Sequence, residues 1–121
     1  MAWEYSQSMG TLYHNGYIVG QGYSGASEGK NNPSMQAVRM VGPIPEGEYR
    51  IESPRNSARV GPYAMPLTPK YDTNTFGRDA FYIHGDSVSS PGSASSGCVI
   101  LNRTVREQIW SSGDRTLRVV R

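Results

Sequence analysis

Glycine and proline punctuate this 121-residue chain so densely, 14 Gly and 8 Pro, that its bulky residues are confined to short runs. Tyr17-Ile18-Val19, Phe81-Tyr82-Ile83, Cys98-Val99-Ile100-Leu101 and Leu117-Arg118-Val119-Val120 are such runs. With eight Tyr against two Phe and abundant Ser and Val, the pattern favours short strands joined by turns over a helical bundle. The length suits one domain with a modest core, and neither a repeat nor a linker divides it. The expectation is a single, mainly β domain over residues 1–121, a compact β-sandwich with one or two short helices.

The elements follow from local signals. Residues 3–7 and 11–13 read as a hairpin around Met9-Gly10, and Asn15-Gly16 is a strong turn dipeptide leading into a strand at 17–19. Residues 24–32 are small and polar, hence loop. Asn32-Pro33-Ser34 has the cap and first-turn proline of a helix, which would run through Met35, Val38 and Arg39 until Gly42-Pro43 stops it. A stiff turn at Pro43–Pro45 feeds a strand ending at Ile51, and residues 53–79 read as a long irregular stretch. Residues 81–83 form a strand that delivers His84, residues 85–97 form a surface loop, and residues 98–101 form another buried strand. Thr104 and Glu107 fit a capping box for a helix ending near Gly113, and residues 116–120 close the chain as a strand.

Charge excludes some functions. The formal net charge is +2, and Arg39, Arg50, Arg55, Arg59, Arg103 and Arg106 are scattered among acids, so no stripe for nucleic acid appears and these read as solvated surface. No run approaches the roughly 20 apolar residues of a membrane helix. The N-terminus lacks a basic start followed by an apolar stretch, so it does not read as a secretory signal. The chain is therefore expected either to be made in the cytoplasm as it stands or to lack a leader.

Three motifs that match known patterns by letter are set aside, the two glycine-rich ones as turns. Gly20-Gln21-Gly22-Tyr23-Ser24-Gly25 matches a dinucleotide fingerprint by letter but is followed by loop where a helix is needed. Gly25 to Lys30 is one residue short of a phosphate loop. Asn102-Arg103-Thr104 matches a glycosylation sequon but is better read as a helix cap. His14, beside the Asn15-Gly16 turn, reads as a surface histidine.

One cysteine rules out an internal disulfide, and with two distant histidines it makes a poor metal set. A lone cysteine is by default a small buried apolar side chain. Its setting here points elsewhere. His84-Gly85-Asp86 ends one apolar strand and Ser96-Gly97-Cys98 begins the next, so the chain leaves and re-enters the sheet at the same edge if the two are neighbours. An adjacent imidazole lowers a thiol's pKa or takes its proton, making the thiolate nucleophile. Gly97 permits close approach of a substrate and leaves backbone N–H groups, Cys98's included, for an oxyanion.

Phe81-Tyr82-Ile83-His84-Gly85, a Ser/Gly-rich loop and Ser96-Gly97-Cys98-Val99 together resemble the signature of the L,D-transpeptidase (YkuD-type) catalytic domain. Gly42-Pro43-Ile44-Pro45-Glu46-Gly47-Glu48-Tyr49 is similar to that family's Pro-x-Pro-x-Gly-x-Tyr/Phe segment. Asn31–Gln36, Phe76-Gly77-Arg78-Asp79 and Val105–Trp110 resemble a subgroup, the type VI secretion effectors called Tlde1. The resemblance implies Cys98 as nucleophile, His84 as general base, and the Gly85 carbonyl as the group that orients the imidazole. Ser95 and Ser96 would supply polar contacts near the thiolate. Together with Gly97 they make up a substrate cleft that Tyr63, Tyr82, Arg78 and Asp86 would line. Ordinary members carry Ser-His-Gly-Cys and an Arg two residues later; here Ser96 and Ile100 stand at those positions.

The implied activity is removal or exchange of the terminal D-amino acid of peptidoglycan tetrapeptide stems, with no metal or organic cofactor. The implied partners are those stems, a secretion apparatus and a cognate immunity protein, with action in the periplasm of a target cell. An ordinary 3-3 crosslinking transpeptidase and a non-catalytic wall-binding module with an inert Cys98 are the alternatives. A papain-like NlpC/P60 enzyme fits less well, because its cysteine precedes its histidine and opens a helix.

Overall fold

The computed structural model describes residues 2–121. Ten strands form one continuous sheet. In chain order they are β1 (Trp3–Ser6), β2 (Thr11–His14), β3 (Tyr17–Gln21), β4 (Tyr23–Ser24), β5 (Gly47–Ile51), β6 (Arg55–Ser57), β7 (Gly61–Pro69), β8 (Phe81–His84), β9 (Val99–Ile100) and β10 (Thr116–Val120). Among the described residues a single α-helix, α1 (Arg103–Ser111), precedes β10. The spatial order is β3-β2-β1-β10-β5-β7-β8-β9-β4, with β6 pairing on β7.

The first hairpin forms as its sequence dictates. β1 and β2 pair antiparallel, β2 continues antiparallel into β3, and Asn15 (φ 53°) and Gly16 (φ 82°) supply the two positive φ angles of a tight hairpin turn. The chain ends then meet: β1 runs parallel to β10, Trp3 opposite Leu117 and Tyr5 opposite Val119. Alternation puts Trp3, Tyr5, Tyr49, Ile51, Leu117 and Val119 inside while Glu4, Arg50 and Arg118 face outward. His14 is more than a surface residue. Its ring stacks on Trp3 with centroids 3.8 Å apart, and its Nε2 lies 3.0 Å from Asp114.

β3 and β4, the two ends of the strand order, are consecutive in the chain and meet at Gly22, so the sheet nearly closes on itself. A Cβ at Gly22 would lie 1.7 Å from the Ile100 carbonyl oxygen, which is why this glycine serves packing and no nucleotide.

Three expectations change. The helix expected from Asn32 through Arg39 is only a 3₁₀ turn, Pro33–Met35; Asn32 does cap it, accepting from the Ser34 N–H at 3.2 Å. The 53–79 stretch, expected to be irregular, contains β6 and the nine-residue β7, the longest strand. Pro62, Pro66 and Pro69 disguise β7, yet Pro66 still pairs through its carbonyl, which accepts from the Glu52 N–H at 2.9 Å. Finally, α1 begins two residues earlier than the capping box places it. Asn102, not Thr104, is the N-cap, its side-chain oxygen accepting from the Val105 N–H at 2.9 Å.

α1 turns Val105 and Ile109 to the core, an i, i+4 pair, and Val105 packs against Gly20. Arg106 is buried and ties the helix to the sheet: its guanidinium donates to the carbonyls of Leu101 (3.0 Å), Pro62 (2.9 Å) and Tyr63 (3.0 Å). Among the described residues no helix is long and apolar enough to cross a membrane.

Candidate active site

β8 and β9 are neighbours, but parallel. Ile83 stands opposite Val99 and His84 opposite Ile100. The 85–98 connection therefore crosses over, where a return at the same edge was expected, and the chain re-enters level with Tyr82. The strands are so short that this still keeps His84 and Cys98 together. Ile83 and Val99 point into the core, strand alternation carries their neighbours the other way, and His84 and Cys98 line one cavity of about 250 Å³.

The imidazole is held in one tautomer. His84 Nδ1 lies 2.8 Å from the Gly85 carbonyl oxygen, which only accepts, so Nδ1 carries the proton and Nε2 is left as a base. Burial lowers the His84 pKa below the usual imidazole value, and the charges of Arg106 and Arg59 act the same way, against the Gly85 bond and Asp86. Cys98 is also buried, with its thiol donating toward the Ala80 carbonyl at 3.7 Å. Burial raises its pKa, opposed by a backbone hydrogen bond from Tyr82 and by Arg59 and Arg78. Both directions favour the uncharged pair, thiol beside neutral imidazole.

Hydrogen bonds fix the loop that presents the thiol. The buried Ser95 hydroxyl donates to the Cys98 carbonyl (2.7 Å) and accepts from the N–H groups of Gly25 (2.9 Å) and Gly97 (3.1 Å). Ser24 Oγ links the same loop to the 42–45 turn, donating to the Gly97 carbonyl at 3.3 Å and accepting from the Ile44 N–H at 2.9 Å. Arg78 is 6% exposed, and its guanidinium donates to the carbonyls of Gln36, Pro43, Gly42 and Ser96 while resting over the Phe81 ring at 5.6 Å. It braces the cavity wall, with most of its donors already engaged.

The residues singled out from the sequence thus fall into distinct places. His84, Cys98, Ser96, Gly97 and Arg78 line the cavity. Ser95 lies beneath it as a tether. Tyr82 is half-buried beside Cys98. Gly85 and Asp86 line a neighbouring groove, where Asp86 accepts from the Tyr23 hydroxyl at 2.6 Å and from the Ser87 N–H at 2.8 Å. Tyr63 sits farther off, under the Arg103 guanidinium at 4.6 Å.

The sequence did not point to other lining residues: Arg39, Met40, Arg59, Val60, Asp79 and Ala80. Met40 (φ 69°) and Ala80 (φ 62°) both hold left-handed backbone without being glycine. Such residues carry strain of about 1–3 kcal/mol each and gather where a site demands a particular geometry. Ala80 illustrates the demand, since its carbonyl is the one that meets the Cys98 thiol. The Asn15-type signal that marks positive φ is missing at Met40 and Ala80, so neither had a local signature.

A family model described as the Tlde1 domain matches residues 19–121, which spans the whole β8–loop–β9 unit. No curated protein matches the chain.

Proposed function

Because the chain belongs to the Tlde1-domain family, we propose that it is an L,D-transpeptidase-like cysteine enzyme, delivered as a type VI secretion effector, that acts on peptidoglycan tetrapeptide stems. The observation carrying this reading is that Cys98 and His84 share one cavity while Gly85 holds the imidazole with Nε2 unprotonated. The thiol attacks the carbonyl of the stem's third residue, at its L-centre, and His84 Nε2 takes the thiol proton. The C–N bond to the terminal D-alanine breaks, and the proton passes from His84 to the departing amine. Gly97's N–H is committed to Ser95, so the oxyanion falls to the N–H of Cys98 itself.

The thioester then meets water or a D-amino acid. Water, deprotonated by His84, releases a tripeptide; an incoming amine gives an exchanged stem. Either outcome depletes the donors that wall crosslinking needs, which is the basis for toxicity in a target periplasm and for a cognate immunity protein in the producer. Neither product requires a metal or organic cofactor.

Purified tetrapeptide muropeptides incubated with wild-type and Cys98→Ala protein, read by mass spectrometry, test the reading. Tripeptide or D-amino-acid-swapped stems from the wild type alone are expected. Unchanged tetrapeptides with folded wild-type protein would refute it.

A further inference from the structure

We infer that Arg59 is the substrate-specificity residue of this cavity, binding a carboxylate of the peptide next to the scissile bond. The inference rests on the tetrapeptide reading above, since it names how that substrate is recognised. Ile100 stands where related enzymes keep an arginine, and its side chain is buried, so an anionic substrate needs a cation from elsewhere. Three arginines line the cavity. Arg78 is engaged by four carbonyls, and Arg39 donates to the Gly77 carbonyl at 3.0 Å. Arg59 differs from both. It is exposed, it sits in the turn between β6 and β7, and among the described residues its guanidinium has no hydrogen-bond or carboxylate partner.

Its position supports the same role. Arg59 lines the same cavity as His84 and Cys98, and its charge acts on both. A planar fork with open donors suits bidentate capture of a carboxylate. The leaving D-alanine ends in a free carboxylate one residue from the scissile carbonyl, and the third residue, diaminopimelate, carries another on its side chain. Both present the same chemistry to Arg59.

Binding to catalytically silent protein separates this inference from the activity itself. In the Cys98→Ala background, with and without Arg59→Gln, calorimetry would compare three peptides: the free tetrapeptide, its C-terminal amide, and an analogue with lysine in place of diaminopimelate. Loss of a charge-assisted bidentate contact corresponds to about tenfold in Kd. Arg59→Gln is expected to weaken the free tetrapeptide by that factor while leaving unchanged the one peptide that lacks the recognised carboxylate. Insensitivity of the amide identifies the terminal carboxylate as the ligand; insensitivity of the lysine analogue identifies the side-chain one. Equal weakening of all three peptides, no weakening at all, or no binding of any peptide by the Cys98→Ala protein overturns the inference. Should wild-type protein leave tetrapeptides uncut while Arg59-dependent binding persists, the catalytic reading fails and the carboxylate site stands.

Discussion

His84 Nδ1 and the carbonyl oxygen of the very next residue, Gly85, lie 2.8 Å apart, so the adjacent backbone itself fixes which imidazole nitrogen is free. No carboxylate takes that position. An acidic partner would stabilise the imidazolium, whereas a neutral carbonyl does so only weakly, and burial outweighs it. The pair therefore rests as neutral thiol and imidazole.

That resting state has a defined pH signature. His84 titrates below about pH 6.5, the ordinary imidazole value, so kcat/KM should stay level through neutrality and decline only on the acid side of that value. Cys98, raised above the ordinary thiol, should alkylate slowly at pH 7, with a rate that climbs steadily with pH and is still climbing at about pH 9. The same shifts act on stability. Below pH 6.5 the unfolded chain takes up the His84 proton more readily than the native state, and above pH 9 it loses the Cys98 proton more readily, so stability falls on both sides. Iodoacetamide kinetics against pH provide the check. A rate already maximal at pH 6 to 7 means a preformed thiolate–imidazolium pair and contradicts this picture.

Ser95 offers a test of positioning as distinct from chemistry. Its hydroxyl makes three bonds within the buried loop and lines no part of the cavity. Ser95→Ala leaves those groups unpaired and should destabilise by about 1–3 kcal/mol in urea unfolding. Its effect on turnover should appear in kcat, with KM little changed, because the loop that aims the thiol loosens while the substrate-facing wall is untouched. A rise in KM at constant kcat would place Ser95 against the substrate.

What could be read from residues alone was whatever local chemistry encodes. Asn15-Gly16 forces positive φ, Phe81–Ile83 and Val99–Leu101 are too apolar to lie outside, and the polar stretch between them must be loop, so His84 and Cys98 were bound to stand at strand ends. Partner choice is not local. Nothing in Trp3–Ser6 announces a parallel partner at 117–120, and nothing in residues 81–101 distinguishes a return from a crossover. β7 was hidden because proline's missing N–H argues against a strand, and Arg55-Asn56-Ser57 shows no apolar alternation. With that hairpin hidden, Arg59 looked like surface charge; only the β6–β7 pairing brings its turn to the cavity.

The helix start gives a sharper comparison of the two kinds of signal. Thr104 and Glu107 satisfy the capping-box pattern, yet Asn102 makes the bond, and Glu107 instead pairs with Arg103 at 3.0 Å on the exposed face. Asn102→Ala should lower stability by about 1 kcal/mol, whereas Thr104→Ala should lie within about 0.5 kcal/mol of wild type. Thermal unfolding of the two variants decides it, and the reverse order would restore the capping box.

Gly97 is a position where a side chain has no room. Its φ is +139°, and a Cβ there would lie 2.4 Å from Arg78 Nη2 and 3.5 Å from the Phe81 ring. Gly97→Ala thus strains the backbone one residue before Cys98 and pushes on a guanidinium that four carbonyls hold in place. Backbone strain alone predicts a loss of about 1–3 kcal/mol, and displacement of Arg78 from the Ser96 carbonyl adds to it. Shrinking the obstacle separates the two contributions. If Arg78 is the obstacle, Arg78→Lys, itself destabilising because it abandons several carbonyls, should make the further addition of Gly97→Ala less damaging than it is in the wild type. A double-mutant cycle in urea measures the coupling. Strict additivity would show that the strain at Gly97 is purely its own φ, and that Arg78 does not fix the approach to Cys98.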